Sequence, residues 1–342
     1  MALARILLGL AISVVCMVAL LRQVDLDTTW ATLRSAQPGW LSLGTVVLLG
    51  YTVAKAVIWR RLCYPARGLH LGNFISALYV GNMVSTLVPL RLGEIVRAYL
   101  VTQTEPITFG RSAGAVLVEK VLDVVTLLVF LGVLSLLVPL PLHAISGPAV
   151  AALALGSVGL LALLTWFPRA PMLRLLDRLE DRWPALRRLR LAEQLATGLD
   201  ALSVLRHRQI LPAIIFWQVF IWLLTMLGNY LVMVAVGIPA PFAAAVFLTC
   251  VTALGMVVPS APGYIGVFHY LIVLTLTSFG VDAAAALGYA VVLHAVTYGS
   301  FLVVGLGCVW GRRYRLSDVF TYSRRPAGPE EKPIIQAAFG GE

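Results

Sequence analysis

Long apolar runs alternate with short polar connections along nearly the whole chain. Runs near 3–21, 41–60, 113–138, 149–167, 210–236 and 284–310 predict six spanning helices, since about 20 apolar residues cross a hydrocarbon core of roughly 30 Å. Two further apolar stretches, 73–101 and 242–279, are each broken by a Pro/Gly segment. The breaks are Val88-Pro89-Leu90-Arg91-Leu92-Gly93 and Val258-Pro259-Ser260-Ala261-Pro262-Gly263. Each stretch reads as a helical hairpin. Arms of about 13–17 residues are short for a span, which favours re-entrant arms over full crossings.

Basic residues in short connections stay on the cytoplasmic side. Arg60, Arg61 and Arg67 share one connection, nine arginines lie between Arg169 and Arg208, and Arg312, Arg313, Arg315, Arg324, Arg325 and Lys332 fill the tail. These three regions are assigned to the cytoplasm. Connections 139–148 and 237–241 carry no Lys or Arg, and 22–40 balances Arg22 and Arg34 with Asp25 and Asp27, so those are assigned outside. The first hairpin then begins and ends inside, and the second begins and ends outside. Both breaks contain V-P-x-x-x-G-x-I, at Val88, Pro89, Gly93, Ile95 and at Val258, Pro259, Gly263, Ile265. Each is flanked by one preceding and one following span. The expectation is an all-α polytopic membrane protein of about six spanning helices plus two oppositely oriented Pro/Gly-broken hairpins in an inverted repeat. Transporters built this way hold their sites where the repeats meet.

Composition changes the picture little. With 60% hydrophobic and 12% charged residues and a mean hydropathy of +0.90, one membrane domain over 1–311 is expected, where a soluble domain has about 25% charged residues. The net charge of +10 sits in connections and not on a face that tracks nucleic acid, so anionic lipid headgroups are the natural partner. Segment 169–208 spaces Leu173, Leu176, Leu179, Trp183, Leu186, Leu189, Leu195 and Leu199 among arginines. It reads as amphipathic helices on inner-leaflet anionic lipids, or as ordinary positive-inside anchoring. Residues 312–342 read as a disordered cytoplasmic tail. The apolar N-terminus has no clear cleavage site after it and reads as a retained first helix. Cys16, Cys63, Cys250 and Cys308 are scattered; they read as small buried hydrophobes, and neither a metal nor a cofactor is expected.

The candidate chemistry lies at the two breaks, because backbone leaves a helix inside a bilayer only where protein buries it or water reaches it. Arg91, Glu94 and Arg97 recur three apart, on one face of a helix starting near Gly93. That start would aim free N–H groups at the break, which with Arg91 suits a phosphate; snorkelling to water is the plainer reading. On the next span Glu119, Lys120 and Asp123 lie about 9 Å deep or more on a rise of 1.5 Å per residue, costly unless paired. Lys120 can reach Asp123, which leaves Arg91 or Arg97 to pair the other acid, either for a ligand or as a structural knot. Lys55, nearer its helix end, reads as snorkelling. At the second break Ser260, Pro262, Gly263, Tyr264, Gly266 and His269 form the polar cluster, with His294 and Tyr298 on one face of the last helix.

The set Gly81-Asn82, Val88-Pro89-x-Arg91-x-Gly93-Glu94-x-x-Arg97, Glu119-Lys120-x-x-Asp123 and Pro259-x-x-Pro262-Gly263-x-x-Gly266 resembles the transmembrane family of lysylphosphatidylglycerol synthases, also called flippase-like domains. The likeness covers about residues 5–310. It implies a fold that flips aminoacylated phosphatidylglycerol in some members and serves polyprenyl or other envelope lipids in others. The carry-over lands on Asn82, Pro89, Arg91, Gly93, Glu94 and Arg97 at the first break, Glu119 and Asp123 on the helix, and Pro262, Gly263 and Gly266 at the second break. Joined to the charge reading, this makes Asn82, Arg91 and Arg97 the headgroup candidates, Glu94, Glu119, Lys120 and Asp123 a charge network, and Pro89, Gly93, Pro259, Pro262, Gly263 and Gly266 the breaks. Two positions depart from the family pattern. Lys120 stands where Arg is usual, keeping the charge without the bidentate fork; His269 stands where an acid is common. Only about 32 residues follow Trp310, too few for the soluble aminoacyl-transfer domain of the lysyl-lipid synthases.

The resulting expectation is a lipid transporter of a bacterial cytoplasmic membrane, both termini inside, acting on an anionic phospholipid or polyprenyl-phosphate-linked lipid. No nucleophile, metal-binding motif or Asp-rich pair supports an enzyme. The alternatives are a lipid-modifying enzyme or a non-transporting partner of an envelope-lipid biosynthetic enzyme.

Overall fold

The computed structural model describes residues 2–22, 24–88, 92–138, 146–168, 170–172, 174, 178, 198–258 and 260–312. All regular structure among them is helical: α1 (Ala2–Leu21), α2 (Leu26–Arg34), α3 (Pro38–Leu62), α4 (Leu71–Leu87), α5 (Gly93–Thr102), α6 (Phe109–Leu137), α7 (Gly147–Trp166), α8 (Leu211–Ala235), α9 (Phe242–Gly255), α10 (Val267–Thr277) and α11 (Ala283–Arg312). Short 3₁₀ turns fall at Ser203–Arg206 and Pro262–Tyr264.

Five helices, α3, α6, α7, α8 and α11, are long and apolar enough to cross a membrane, and the bent pair α1–α2 makes up to six. Their outward faces stay apolar: α7 buries Val150, Ala154 and Thr165 and leaves Leu153, Leu155 and Leu160 exposed. Water is the wrong solvent for such a surface, and lipid the right one. The chain is a multi-pass helical membrane protein. Local chemistry sets where helices begin. Pro38, Pro148 and Pro212 occupy first-turn positions, where their missing N–H costs nothing. The Thr108 hydroxyl accepts from Arg111 N–H at 3.3 Å, and the Asp282 carboxylate accepts from Ala284 and Ala285 N–H at 2.9 and 3.1 Å, satisfying donors that the first turn leaves open.

The 22–40 segment, read as a plain connection, contains α2. Asp25 caps it, accepting from Asp27 N–H at 3.1 Å and the Thr28 hydroxyl at 2.7 Å, and α2 packs on α11. The capping signal was in the sequence, but nine residues are too few to register as an apolar run.

The four arms at the Pro/Gly breaks are separate short helices of 17, 10, 14 and 11 residues, each below the about 20 residues of a span. In the first pair, α4 and α5 close to backbone contact. A Cβ on Gly93 would overlap the Gly81 carbonyl and the Ser85 hydroxyl, so only glycine fits there. In the second, Gly263 and Gly266 take φ of +67° and +91°, and Tyr264 between them +58°. These three positive-φ residues, with extended Ile265 before Gly266, turn the chain into α10 against the Ser13 backbone, and the Ser13 hydroxyl accepts from Ala261 N–H at 2.8 Å.

Packing partners repeat between the two halves. α3 and α8 lie antiparallel: Gly44 meets Val232, Gly228 meets Leu48, and Gln37 N–H donates to the Ala235 carbonyl at 2.8 Å. α4 packs on α11 as α9 packs on α6, α4 on α5 as α9 on α10, and α5 on α6 as α10 on α11. Exchanging α3–α6 for α8–α11 maps each contact onto another. The buried apolar side chains form one cluster around Trp59, Phe74 and Val118, one around Leu248, Ile272 and Tyr289, and a third around Leu127, Met226 and Phe247 that joins α6 to α8 and α9.

Segment 169–208 is described mainly from 198 onward, and the tail after Arg312 lies outside the described residues. Leu199, Leu202, Val204 and Leu205 are buried, so this last stretch packs on protein where the leucine spacing suggested a lipid-facing surface. Arg206 donates to the Thr165 carbonyl at 2.5 Å and the Phe167 carbonyl at 3.4 Å, a cation at the open C-terminus of α7.

Candidate functional site

Ionisable side chains from α3, α5 and α6 meet inside the bundle as one series of alternating sign. Lys120 Nζ lies 2.6 Å from Glu94 Oε1, and Glu94 Oε2 lies 2.5 Å from Arg97 Nη2. Arg97 grips Glu119 with both terminal nitrogens, at 3.1 and 3.2 Å. Glu119 Oε1 is 3.2 Å from Lys55 Nζ, which donates to both Asp123 oxygens at 2.6 and 2.7 Å. From α8, Gln218 Nε2 donates to Asp123 at 2.9 Å. Three cations therefore face three carboxylates. Each helix contributes at helical spacing: Lys55 and Trp59 on α3, Glu94 and Arg97 on α5, Glu119 and Asp123 on α6, Gln218 and Trp222 on α8, all three or four residues apart and so on one face.

Two indoles complete the enclosure. The Trp59 ring centroid is 4.9 Å from the Arg97 guanidinium carbon and the Trp222 centroid 5.7 Å from Lys55 Nζ, within the range where a ring face attracts a cation. Arg97 is 2% exposed and Glu119 0%, so neither ion has water to solvate it; the pairing and hydrogen bonds take that role. Trp59 Nε1, Trp222 Nε1, Arg97 Nε and Gln218 Oε1 are buried here without a hydrogen-bond partner.

Two sequence expectations change. Lys120 does not pair with Asp123 but turns to Glu94 on α5, because one residue's rotation, about 100° on a helix of 3.6 residues per turn, separates it from the Glu119–Asp123 face. Lys55 does not snorkel: α3 runs on to Leu62 and holds Lys55, 4% exposed, as the partner of both acids on α6. Periodicity marked Glu119 and Asp123 as one face, but the identity of the opposing helix is a tertiary fact. Gln218 and Trp222 were missed for the same reason. Arg97 met Glu119 as one of the expected suppliers. Arg91, Pro89 and Pro259 lie outside the described residues. Asn82 is half-buried on α4, one turn before Thr86.

The two breaks come together. Gly263 lies against Thr86, one residue from the end of α4, and His294 Nε2 donates to the Gly263 carbonyl at 2.8 Å. His294 stacks near Tyr298, with centroids 4.3 Å apart, and near His269 at 5.0 Å. His269 is buried with Nδ1 unpartnered. Ser260 packs against Gly9 of α1, and Tyr264 lies 5.9 Å from Tyr298, ring to ring. Deeper in this half, Asn229 Nδ2 donates to the Thr249 hydroxyl at 2.9 Å and Tyr289 to the Asn229 carbonyl at 3.2 Å. The second half thus encloses amide, hydroxyl and imidazole groups where the first encloses carboxylates and their cations. No group of three or more His, Cys, Asp or Glu suited to a metal ion occurs among the described residues.

A bundle of membrane-crossing helices with a paired charge series between them defines a multi-pass membrane protein with a polar interior. Its family follows from the sequence, since the profile of the lysylphosphatidylglycerol synthase TM region matches residues 6–305, and the chain belongs to that family. That places it among membrane proteins related to lipid synthesis or flipping. No curated protein and no solved structure matches the chain.

Proposed function

We propose that this chain moves a lipid with an anionic, phosphate-bearing headgroup between the leaflets of a bacterial cytoplasmic membrane, without catalysing a reaction. The observation that carries the reading is the charge series from Lys120 to Asp123, enclosed by otherwise apolar helices. Ionisable groups at such depth are costly and mark substrate pathways. The exchange of packing partners between α3–α6 and α8–α11 supports an inverted repeat with re-entrant arms, and the contact of Gly263 with Thr86 supports breaks that meet where the halves join. Rocking one half on the other would then expose the charged region to each leaflet in turn. Both termini are cytoplasmic in this reading, with basic connections inside, and segment 169–208 adds attraction for inner-leaflet anionic lipid.

The test is a leaflet-sidedness assay: proteoliposomes carrying a fluorescent phosphatidylglycerol analogue, with outer-leaflet label quenched chemically. The intact chain should equilibrate label between leaflets, and Arg91→Ala and Arg97→Gln should slow this at least tenfold. Equal rates with and without protein, or unchanged rates in both variants, overturn the proposal.

A further inference from the structure

The charge series has two unlike ends. At one end Lys55 and Glu119 retain 5% and 0% of their side-chain exposure, and Asp123 is held by Lys55 and Gln218. At the other end Glu94 and Lys120 retain 30% and 42%. Glu94 occupies the first turn of α5, where the helix dipole favours a negative charge. It sets one oxygen on each of two cations from different helices, Oε1 on Lys120 and Oε2 on Arg97. A carboxylate bridging two cations at the more exposed end, with Oε2 buried against Arg97, presents the charge and the paired oxygens of a phosphodiester.

We propose that Glu94 is an internal stand-in for the ligand's phosphate, displaced when a lipid headgroup binds. This rests on the headgroup reading above and assigns its entry point. Two non-bridging phosphate oxygens take over Lys120 and Arg97 as the Glu94 side chain turns to water. Arg97 keeps its place because Glu119 still holds both of its terminal nitrogens, and its buried, unpartnered Nε remains as a further donor. A monoanion replaces a monoanion, so the balance of three cations and three anions persists and no bare charge is left in lipid. Glu94 is the group that yields because its pairs are the more exposed ones, whereas opening Lys55, Glu119 or Asp123 would leave an enclosed charge without a partner. The same balance sets selectivity. A headgroup with a net negative phosphate gains both cations, whereas one with an ammonium beside its phosphate brings a like charge toward Lys120 and gains less.

The experiment is native mass spectrometry of the full chain in detergent, titrated with dioleoyl phosphatidylglycerol or dioleoyl phosphatidylcholine, with and without inorganic phosphate as competitor. Wild type should prefer phosphatidylglycerol. Glu94→Gln should tighten phosphatidylglycerol binding about tenfold and leave phosphatidylcholine unchanged, and Lys120→Gln should bring phosphatidylglycerol down to the phosphatidylcholine level. Competition by phosphate in Glu94→Gln supports an oxyanion site open to water; its absence supports a site that takes the phosphate only on a lipid. Unchanged or weaker phosphatidylglycerol binding by a folded Glu94→Gln overturns the stand-in role and leaves the headgroup reading standing. If that variant does not fold, a wild-type preference retained by Lys120→Gln overturns the role equally. Should wild type show no preference, the headgroup reading fails and the stand-in role with it.

Discussion

Replacing Lys55 by methionine removes a cation and keeps most of the volume, and the structure sets the size of the effect. Lys55 Nζ is within 3.2 Å of Glu119 and 2.6 Å of Asp123, with all three side chains at or below 12% exposure. Losing it leaves two cations against three anions, none of the loss made good by water. Removing one partner of a buried pair costs about 3–5 kcal/mol. At about 2 °C per kcal/mol for a chain of this size, the melting temperature falls by roughly 6–10 °C. Lys120→Met, at the 42% exposed end, should cost about 1 kcal/mol or less. The paired change Lys55→Met with Asp123→Asn returns the count to two and two and should recover at least half of the loss. Thermal unfolding of these three variants and of Asp123→Asn alone, purified in one detergent and followed by intrinsic fluorescence, measures all four. Equal losses in Lys55→Met and Lys120→Met would refute the depth gradient, and a double variant as unstable as the two single losses summed would refute the charge balance.

Gly93→Ala should destabilise by about 1–3 kcal/mol or prevent folding, as overpacking does, because its methyl group meets the Gly81 carbonyl; Gly39→Ala, with open space around it, serves as the control in the same melting assay. In a chain freed of its native cysteines, Arg67→Cys and Pro239→Cys should react with an impermeant thiol reagent from opposite faces of the membrane. The two positions lie just beyond opposite ends of the antiparallel pair α3 and α8, and labelling from one face would contradict that packing.

What the sequence made legible follows the physics of each scale. Apolar run length marked α3, α6, α7, α8 and α11 to within a few residues, because a bilayer imposes one length on every crossing. Pro and Gly marked both breaks, because they act on the local backbone. Charge spacing named Arg91, Glu94 and Arg97 on one face and Glu119, Lys120 and Asp123 on the next span, with Arg91 or Arg97 to join them, because placing ions at depth demands company. It did not tell which partner each would take. Lys55 is 64 residues from Glu119 in the numbering, and its role depends on α3 standing opposite α6, which local pattern does not encode. Gln218 and Trp222 carry no mark at all until α8 is seen to pack along α3. Helix α2 was hidden for the opposite reason: its nine residues have a clear cap and too little apolar length to stand out.

The grip of Arg206 on the carbonyls of Thr165 and Phe167 brings the chain back to the spot from which it departed. The stretch of nearly forty residues between Phe167 and Arg206 therefore leaves and rejoins the bundle at one place. Shortening it changes the closure entropy only slowly with length. The length of chain between these two ends can therefore vary at small entropic cost while the stem stays pinned by the same guanidinium.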